Sequence, residues 1–274
     1  MNIVPLVLYV GALVAYVLHF ARRDPAVGRA ATTLLVAGAL THTFVIGMQT
    51  VQSGHIPVAG ATPAISTFVW LLALAYLYTE MTTDERAMGV FILPLIVGLQ
   101  VIPAVHPGVE DRAAVLQSPW FGVHVSSLLF GYASLALGCV IGLTYVLLFK
   151  EIKAKHLGVF YARLPSLQVL DVMNRRAIVV GWIFLTVGII VGGIWAEQAR
   201  IIDPHDPRVQ AMSLADPKIL VALISWAVYS FEMVAMRLAG WRGRRTAWLS
   251  IIGFAIVLFN LVPISLFLTR SHNF

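Results

Sequence analysis

Long apolar stretches separated by short polar segments run through the whole chain. They predict membrane-spanning helices at residues 2–20, 29–51, 63–81, 87–105, 119–149, 177–197, 217–238 and 247–269. A hydrocarbon core of about 30 Å takes roughly 20 apolar helical residues to cross. Backbone polar groups inside that core must be satisfied within their own segment, which favours helices over strands. The pattern therefore predicts an all-α polytopic membrane protein, a bundle of eight transmembrane helices in a single domain over residues 1–274.

The fifth apolar stretch is longer than one crossing requires. Its last turns, around Phe149 and Lys150, are predicted to continue into water ahead of a basic segment at residues 150–176. Composition agrees with a membrane protein, because 59% of the residues are hydrophobic, only 12% are charged, and the mean hydropathy is +0.86. Such a chain has too little polar surface for a water-soluble fold.

The basic residues predict the orientation in the membrane. Most of the 19 Lys and Arg residues lie in the loops that follow the first, third, fifth and seventh stretches. Because cytoplasmic loops carry the excess of Lys and Arg, these loops are predicted to be cytoplasmic and both termini extracytoplasmic. We therefore expect a multi-pass protein of the cell inner membrane. The net charge of +6 belongs mainly to loops near anionic lipid and does not indicate nucleic-acid binding.

Most histidines fall on the extracytoplasmic side of this predicted topology. Several histidines at one membrane face favour a bound metal or heme. The chain has one cysteine, Cys139, which excludes an internal disulfide and a C-x-x-C-H heme attachment. No nucleotide-binding, hydrolase or zinc-protease motif is present, so no catalytic residue is predicted. The outward histidines are His55, His106, His124, His205 and His272.

Four segments carry a resemblance to a known family. Residues 119–134 contain an H-V-x-x-x-L-x-x-Y-A pattern that begins at His124, and residues 54–57 read G-H-I-P. A glycine- and arginine-containing helix follows at residues 171–196. The C-terminal third runs from Asp216-Pro217-Lys218 to Ser271-His272. In this order, from Gly54 to the end, the chain resembles the heme-handling cytochrome c assembly family, the CcsA and HemX-like group.

The resemblance implies heme binding or delivery at the outer face of the membrane during maturation of c-type cytochromes. His124 and His272 would be the paired axial ligands of a non-covalent, b-type heme, since two imidazoles give a six-coordinate iron. Trp120 and Trp195 belong to the aromatic belt and could also line a porphyrin edge. Asp216 keeps the end of the family's heme-binding loop. The expected partners are membrane lipid and either a membrane protein of cytochrome c maturation or a multiheme cytochrome.

The chain departs from the family in three places. Residues 197–216 contain no tryptophan, where the family has a tryptophan-rich loop, and the seventh stretch has no histidine. The N-x-Y-E segment that follows the family's G-H-x-P loop is replaced by Gly60-Ala-Thr-Pro-Ala. The departures leave two alternatives: a heme-b electron-transfer or anchor subunit of a respiratory complex, and a HemX-like regulator of heme synthesis. As an enzyme, the chain would at most be part of a heme-attachment system.

Two polar residues lie inside predicted spans. His42, near the middle of the second, is either a further heme ligand or a neutral histidine hydrogen-bonded to a neighbouring helix. Glu232, in the seventh, is expected to form a solvated ion pair with Arg237.

Overall fold

The structure is a computed structural model that describes residues 2–106, 114–155, 158–205, 207–210 and 217–259. Within these ranges the chain forms α-helices and one short 3-10 turn, without any β-strand, so the prediction of an all-helical protein is confirmed. The helices are α1 (Ile3–Arg22), α2 (Pro25–Ser53), α3 (Ala61–Thr83), α4 (Gly89–Val105), α5 (Pro119–Lys153), α6 (Val159–Arg163), α7 (Leu167–Ile202), α8 (Pro207–Gln210), α9 (Pro217–Leu238) and α10 (Arg244–Phe259).

Six of these helices are long and apolar enough to cross a membrane: α1, α2, α3, α5, α7 and α9. Helix α4 is apolar but has only 17 residues, and α10 is described over 16 residues. Together these eight helices follow the eight predicted stretches in order, and they make this a multi-pass membrane protein. The number of crossings and the extracytoplasmic termini stay predictions.

Helix α7 begins at Leu167 and not at residue 177, where the apolar stretch starts. Ser166 caps its N-terminus, with Oγ accepting a hydrogen bond from the Val169 backbone N–H at 3.4 Å. Further along the same helix, Arg175 forms an ion pair with Asp171 at 3.1 Å. The cap and this pair allow a polar extension of the helix. Helix α5 likewise continues to Lys153, as its length predicted.

Helices α5 and α7 are antiparallel and pack closely along small residues. A Cβ atom at Gly131 of α5 would lie 3.0 Å from the backbone nitrogen of Leu185 and 3.2 Å from the carbonyl oxygen of Gly181. The atoms in the way are backbone, which cannot swing aside as a flexible side chain can. The two longest helices of the bundle therefore touch backbone to backbone at this level.

Replacing Gly131 by alanine is expected to lower the free energy of unfolding by about 1–3 kcal/mol, the usual cost of overpacking an interior. Gly47 of α2 is the matched control, because a Cβ there meets no atom within 4 Å. Gly47→Ala should leave stability unchanged or raise it by about 0.4–1 kcal/mol. Thermal unfolding of both variants in detergent measures the difference. Equal stabilities would mean that α5 and α7 are further apart than described.

A buried carboxylate joins the first three helices. Glu80 of α3 is 2% exposed and accepts hydrogen bonds from the Tyr16 hydroxyl of α1 and the Thr32 hydroxyl of α2, both at 2.5 Å. The Arg86 guanidinium lies 3.9 Å from the same carboxylate. Glu80 therefore has two donors and a cation, which is what a buried negative charge requires.

The expected ion pair between Glu232 and Arg237 is wrong. Glu232 is fully buried, whereas Arg237 is exposed. At 3.6 residues per turn, positions five apart lie about 140° apart around the helix, so the two side chains point in different directions. Glu232 accepts a hydrogen bond from Ser250 of α10 instead.

Candidate functional site

His124 lies in the second turn of α5, at the end of the helix that faces the last turns of α7. The helix begins at Pro119, whose fixed φ suits a first helical position. The half-buried imidazole makes a hydrogen bond of 2.7 Å from Nδ1 to the carbonyl oxygen of Gly188. A carbonyl can only accept, so Nδ1 carries the proton, and in the neutral imidazole Nε2 carries the lone pair. His124 thus has the tautomer and the backbone anchor that are typical of metal-ligating histidines.

Gly192 provides the space for this imidazole. A Cβ atom at Gly192 would lie 2.5 Å from Cε1 and 2.6 Å from Nδ1 of His124, so no larger residue fits while the ring stays in place. Gly188 and Gly192 are one helical turn apart and share a face of α7. The sequence indicated only helix packing for this pair. These two glycines belong to the site because they lie opposite His124, and this position is known only once α5 and α7 are seen to pair antiparallel.

Trp195 forms the wall behind His124. Its indole is 3% exposed and stacks on the imidazole, with ring centroids 5.9 Å apart and planes 13° from parallel. The indole Nε1–H donates to the Val115 carbonyl at 3.1 Å, and Phe121 packs against the ring at a centroid distance of 5.1 Å. Trp195 is therefore held from two sides and restrains the orientation of the imidazole. The structure does not test its predicted place at a porphyrin edge.

Trp120 is 39% exposed at the start of α5, which fits a residue of an interfacial aromatic belt. The structure does not bring it into the cluster around His124. His272 and Asp216 lie outside the described residues, so the predicted pairing of His124 with His272 stays a prediction.

His42 is buried among the first three helices, away from α7. Its Nδ1 lies 3.2 Å from the Tyr9 hydroxyl of α1, and its Nε2 lies 2.9 Å from the Ser66 hydroxyl of α3. Both ring nitrogens are thus engaged, and coordination of a metal by His42 would break one of these hydrogen bonds. Of the two interpretations of His42, the geometry favours the hydrogen-bonded one.

These features define a class: a polytopic helical membrane protein in which two long antiparallel helices hold a histidine suited to ligating a metal. The sequence pattern of the family described as cytochrome C assembly protein matches residues 3–271. The chain belongs to this family, which confirms the resemblance found in the sequence.

The chain is also similar to proteins named cytochrome c biogenesis protein CcsA. It is 27% identical to that of Guillardia theta over 244 residues, which cover 81% of this chain and 77% of the relative. It is 27% identical to that of Chlorella vulgaris over 265 residues, covering 85% and 81%. With the protein of Synechococcus elongatus it shares 24% identity over 296 aligned positions, covering 91% and 87%. Membership of this family indicates a role in cytochrome c biogenesis.

Proposed function

We propose that this protein binds heme and delivers it at the outer face of the cell inner membrane during maturation of c-type cytochromes. The observation that carries the proposal is the hydrogen bond from His124 Nδ1 to the Gly188 carbonyl, which anchors the imidazole to α7 and fixes the tautomer that is typical of metal-ligating histidines. The residues around the imidazole fit a ligand role, because Gly192 leaves room for the ring and Trp195 fixes its plane. Similarity to CcsA proteins supports the pathway.

The proposed topology has eight crossings and extracytoplasmic termini. His124 near the start of α5 and Trp195 near the end of α7 lie at one end of the bundle. The other end carries Lys150 and Lys153 of α5 and Arg175 and Arg176 of α7. The positive-inside rule supports a cytoplasmic location for that basic end, which assigns His124 to the outer face.

In the proposed site, His124 and His272 would hold a non-covalent, b-type heme through its iron. A bound heme would supply an iron that the two imidazoles close to oxygen, which would suit carriage. Trp195 positions His124, and Trp120 and Asp216 are proposed to border the porphyrin. For His42 the hydrogen bonds to Tyr9 and Ser66 favour a structural role over ligation.

The expected partners are membrane lipid and a membrane protein of cytochrome c maturation or a multiheme cytochrome. No motif for an independent catalytic activity occurs in the sequence, so we propose that the chain contributes to heme attachment only together with such a partner.

An optical spectrum and a pyridine hemochrome assay on detergent-purified protein test the proposal. After heme-replete expression we expect a low-spin spectrum and non-covalent heme b in stoichiometric amount. Protein that is folded, by circular dichroism, but contains no heme under these conditions would contradict the proposal.

A second candidate function is a heme-b electron-transfer or anchor subunit of a respiratory complex, and a third is a HemX-like regulator of heme synthesis. The absence of tryptophan from residues 197–216 favours the second candidate. Expression in a bacterial strain that lacks its own CcsA-type protein separates the two. Restored covalent heme in a reporter cytochrome c supports delivery, whereas heme-loaded protein without any reporter heme supports the alternative.

A further inference from the structure

Glu232 is a fully buried acid whose two carboxylate oxygens differ in their contacts. Its Oε1 lies 3.1 Å from the Ser250 hydroxyl of α10, whose single hydrogen is shared with the Thr246 carbonyl at 2.8 Å. Its Oε2 is buried and has no hydrogen-bond partner among the described residues. A buried carboxylate oxygen without a partner is costly, because desolvation is not repaid by any hydrogen bond.

The surroundings of Glu232 supply polar groups from three helices. Ser250 accepts a hydrogen bond from Asn174 Nδ2 of α7 at 3.0 Å, and its carbonyl accepts from the Tyr229 hydroxyl of α9 at 3.4 Å. Asn174 is 2% exposed, and its Oδ1 is a second buried acceptor without a partner in the described part of the chain. Glu232 Oε2 and Asn174 Oδ1 are thus two buried acceptors without a donor among the described residues. The cluster around Ser250 therefore has fewer hydrogen-bond donors than acceptors.

The cations near this part of the bundle are engaged elsewhere or exposed. Arg175 of α7 pairs with Asp171, which also accepts from the Gly243 backbone N–H at 2.6 Å. On α10, Arg244 lies over the Phe149 ring and Arg245 over the Trp241 ring, and Arg237 of α9 is exposed. Tyr229 of α9 lies near Glu232, and Cys139 of α5 lies near Tyr229; both side chains are neutral when protonated. Over the described ranges, no ion pair involves Glu232.

Glu80, the other buried acid described in this bundle, has more hydrogen-bond donors than Glu232 and a cation nearby. It accepts from two hydroxyls and has a guanidinium at 3.9 Å, whereas Glu232 has one hydroxyl near it and, within the described part of the chain, no ion-pair partner. Isolated charges buried without a counter-charge are avoided, and such a group gains or loses a proton instead. An acidic residue inside a membrane bundle is also a candidate functional group.

We propose that Glu232 is a proton-binding site inside the bundle, at which Oε2 takes up one proton from water. Ser250, which itself accepts a hydrogen bond from Asn174, contacts the resulting neutral acid at Oε1. The step is an acid–base exchange of a single proton and requires no other reactant. Release of the proton would leave an unpaired negative charge between α9 and α10, so these helices must separate or admit water for the release to occur. The site thus links proton occupancy to the packing of α9 against α10. This inference is independent of heme.

Infrared spectroscopy of the reconstituted full-length protein tests the proposal. At neutral pH we expect the carbonyl stretching band of a protonated carboxylic acid, which shifts in deuterium oxide and is lost in Glu232→Gln. Glu80→Gln is the matched control, since it removes another buried acid, and it should retain the band. Raising the pH should abolish the band reversibly in the wild type.

Ser250→Ala keeps the proposal testable if Glu232→Gln does not fold. Loss of the donor to Oε1 should shift the frequency of the band without removing it. A band that persists unchanged in Glu232→Gln, or that is lost only in Glu80→Gln, would overturn the assignment. The wild type could instead lack the band and have an unfolding temperature that is raised by sodium chloride but not by choline chloride. That result would overturn the proposal and would mean that Glu232 binds a metal cation in place of a proton.

Discussion

Replacing His124 by alanine should remove most of the bound heme. The variant loses the imidazole whose Nε2 we propose as an axial ligand, and the carbonyl of Gly188 loses its donor from α5. Removal of a hydrogen-bonding partner of a ligand alone costs about 10–100-fold in metal affinity, so loss of the ligand itself should cost at least that much. Heme titration of the purified variant, followed by its optical spectrum, measures the effect.

His106 offers the matched control for His124→Ala. It is exposed at the C-terminal end of α4, and its ring makes no contact with the His124 cluster among the described residues. His106→Ala should keep the heme spectrum of the wild type. Added imidazole should restore a low-spin spectrum to His124→Ala, which a purely structural defect would not allow. An unchanged spectrum in His124→Ala would exclude His124 as a ligand.

Gly192→Ala should have the second largest effect. The added methyl group would lie 2.5 Å from Cε1 and 2.6 Å from Nδ1 of His124, which is closer than non-bonded atoms approach a Cβ. The imidazole must move away from α7 and lose its hydrogen bond to the Gly188 carbonyl. We expect heme affinity to fall by about 10–100-fold, the range found for losing a group that orients a metal ligand.

The neighbouring residue separates this effect from a general effect on α7. A Cβ atom at Gly193 meets no atom within 4 Å, so Gly193→Ala should bind heme as the wild type does. Heme titrations of both variants, with circular dichroism to verify folding, make the comparison. Equal heme affinities in Gly192→Ala and Gly193→Ala would show that the contact between His124 and α7 does not contribute to heme binding by His124.

The helices could be predicted from the sequence because their signal is local. Each apolar stretch specifies its own helix through hydropathy and length. The predicted start of the sixth stretch missed the first turns of α7 because these are polar, and they form through the Ser166 cap and the pair of Asp171 with Arg175. Hydropathy cannot detect a helix that extends beyond the membrane.

The site was only partly accessible from the sequence. His124 stood out through its motif, but the role of Gly192 depends on how α5 and α7 pair, and that pairing joins residues far apart in the chain. The neighbours of Glu232 could not be predicted from the sequence for the same reason, since Ser250 and Asn174 belong to other helices. His42 illustrates the limit of residue type alone, because only its contacts with Tyr9 and Ser66 distinguish its two interpretations.

Helix α7 makes two contacts with other parts of the bundle that lie far apart along its length. Near its start, Asp171 binds the backbone N–H of Gly243 just before α10, and 17 residues later Gly188 holds His124. At 1.5 Å per residue these points are about 25 Å apart on one continuous helix. A partner that displaces the turn before α10 would therefore also displace α7. This movement would weaken the hydrogen bond between the Gly188 carbonyl and His124. Such a movement would couple an event at the basic end of the bundle to the release of a ligand held by His124.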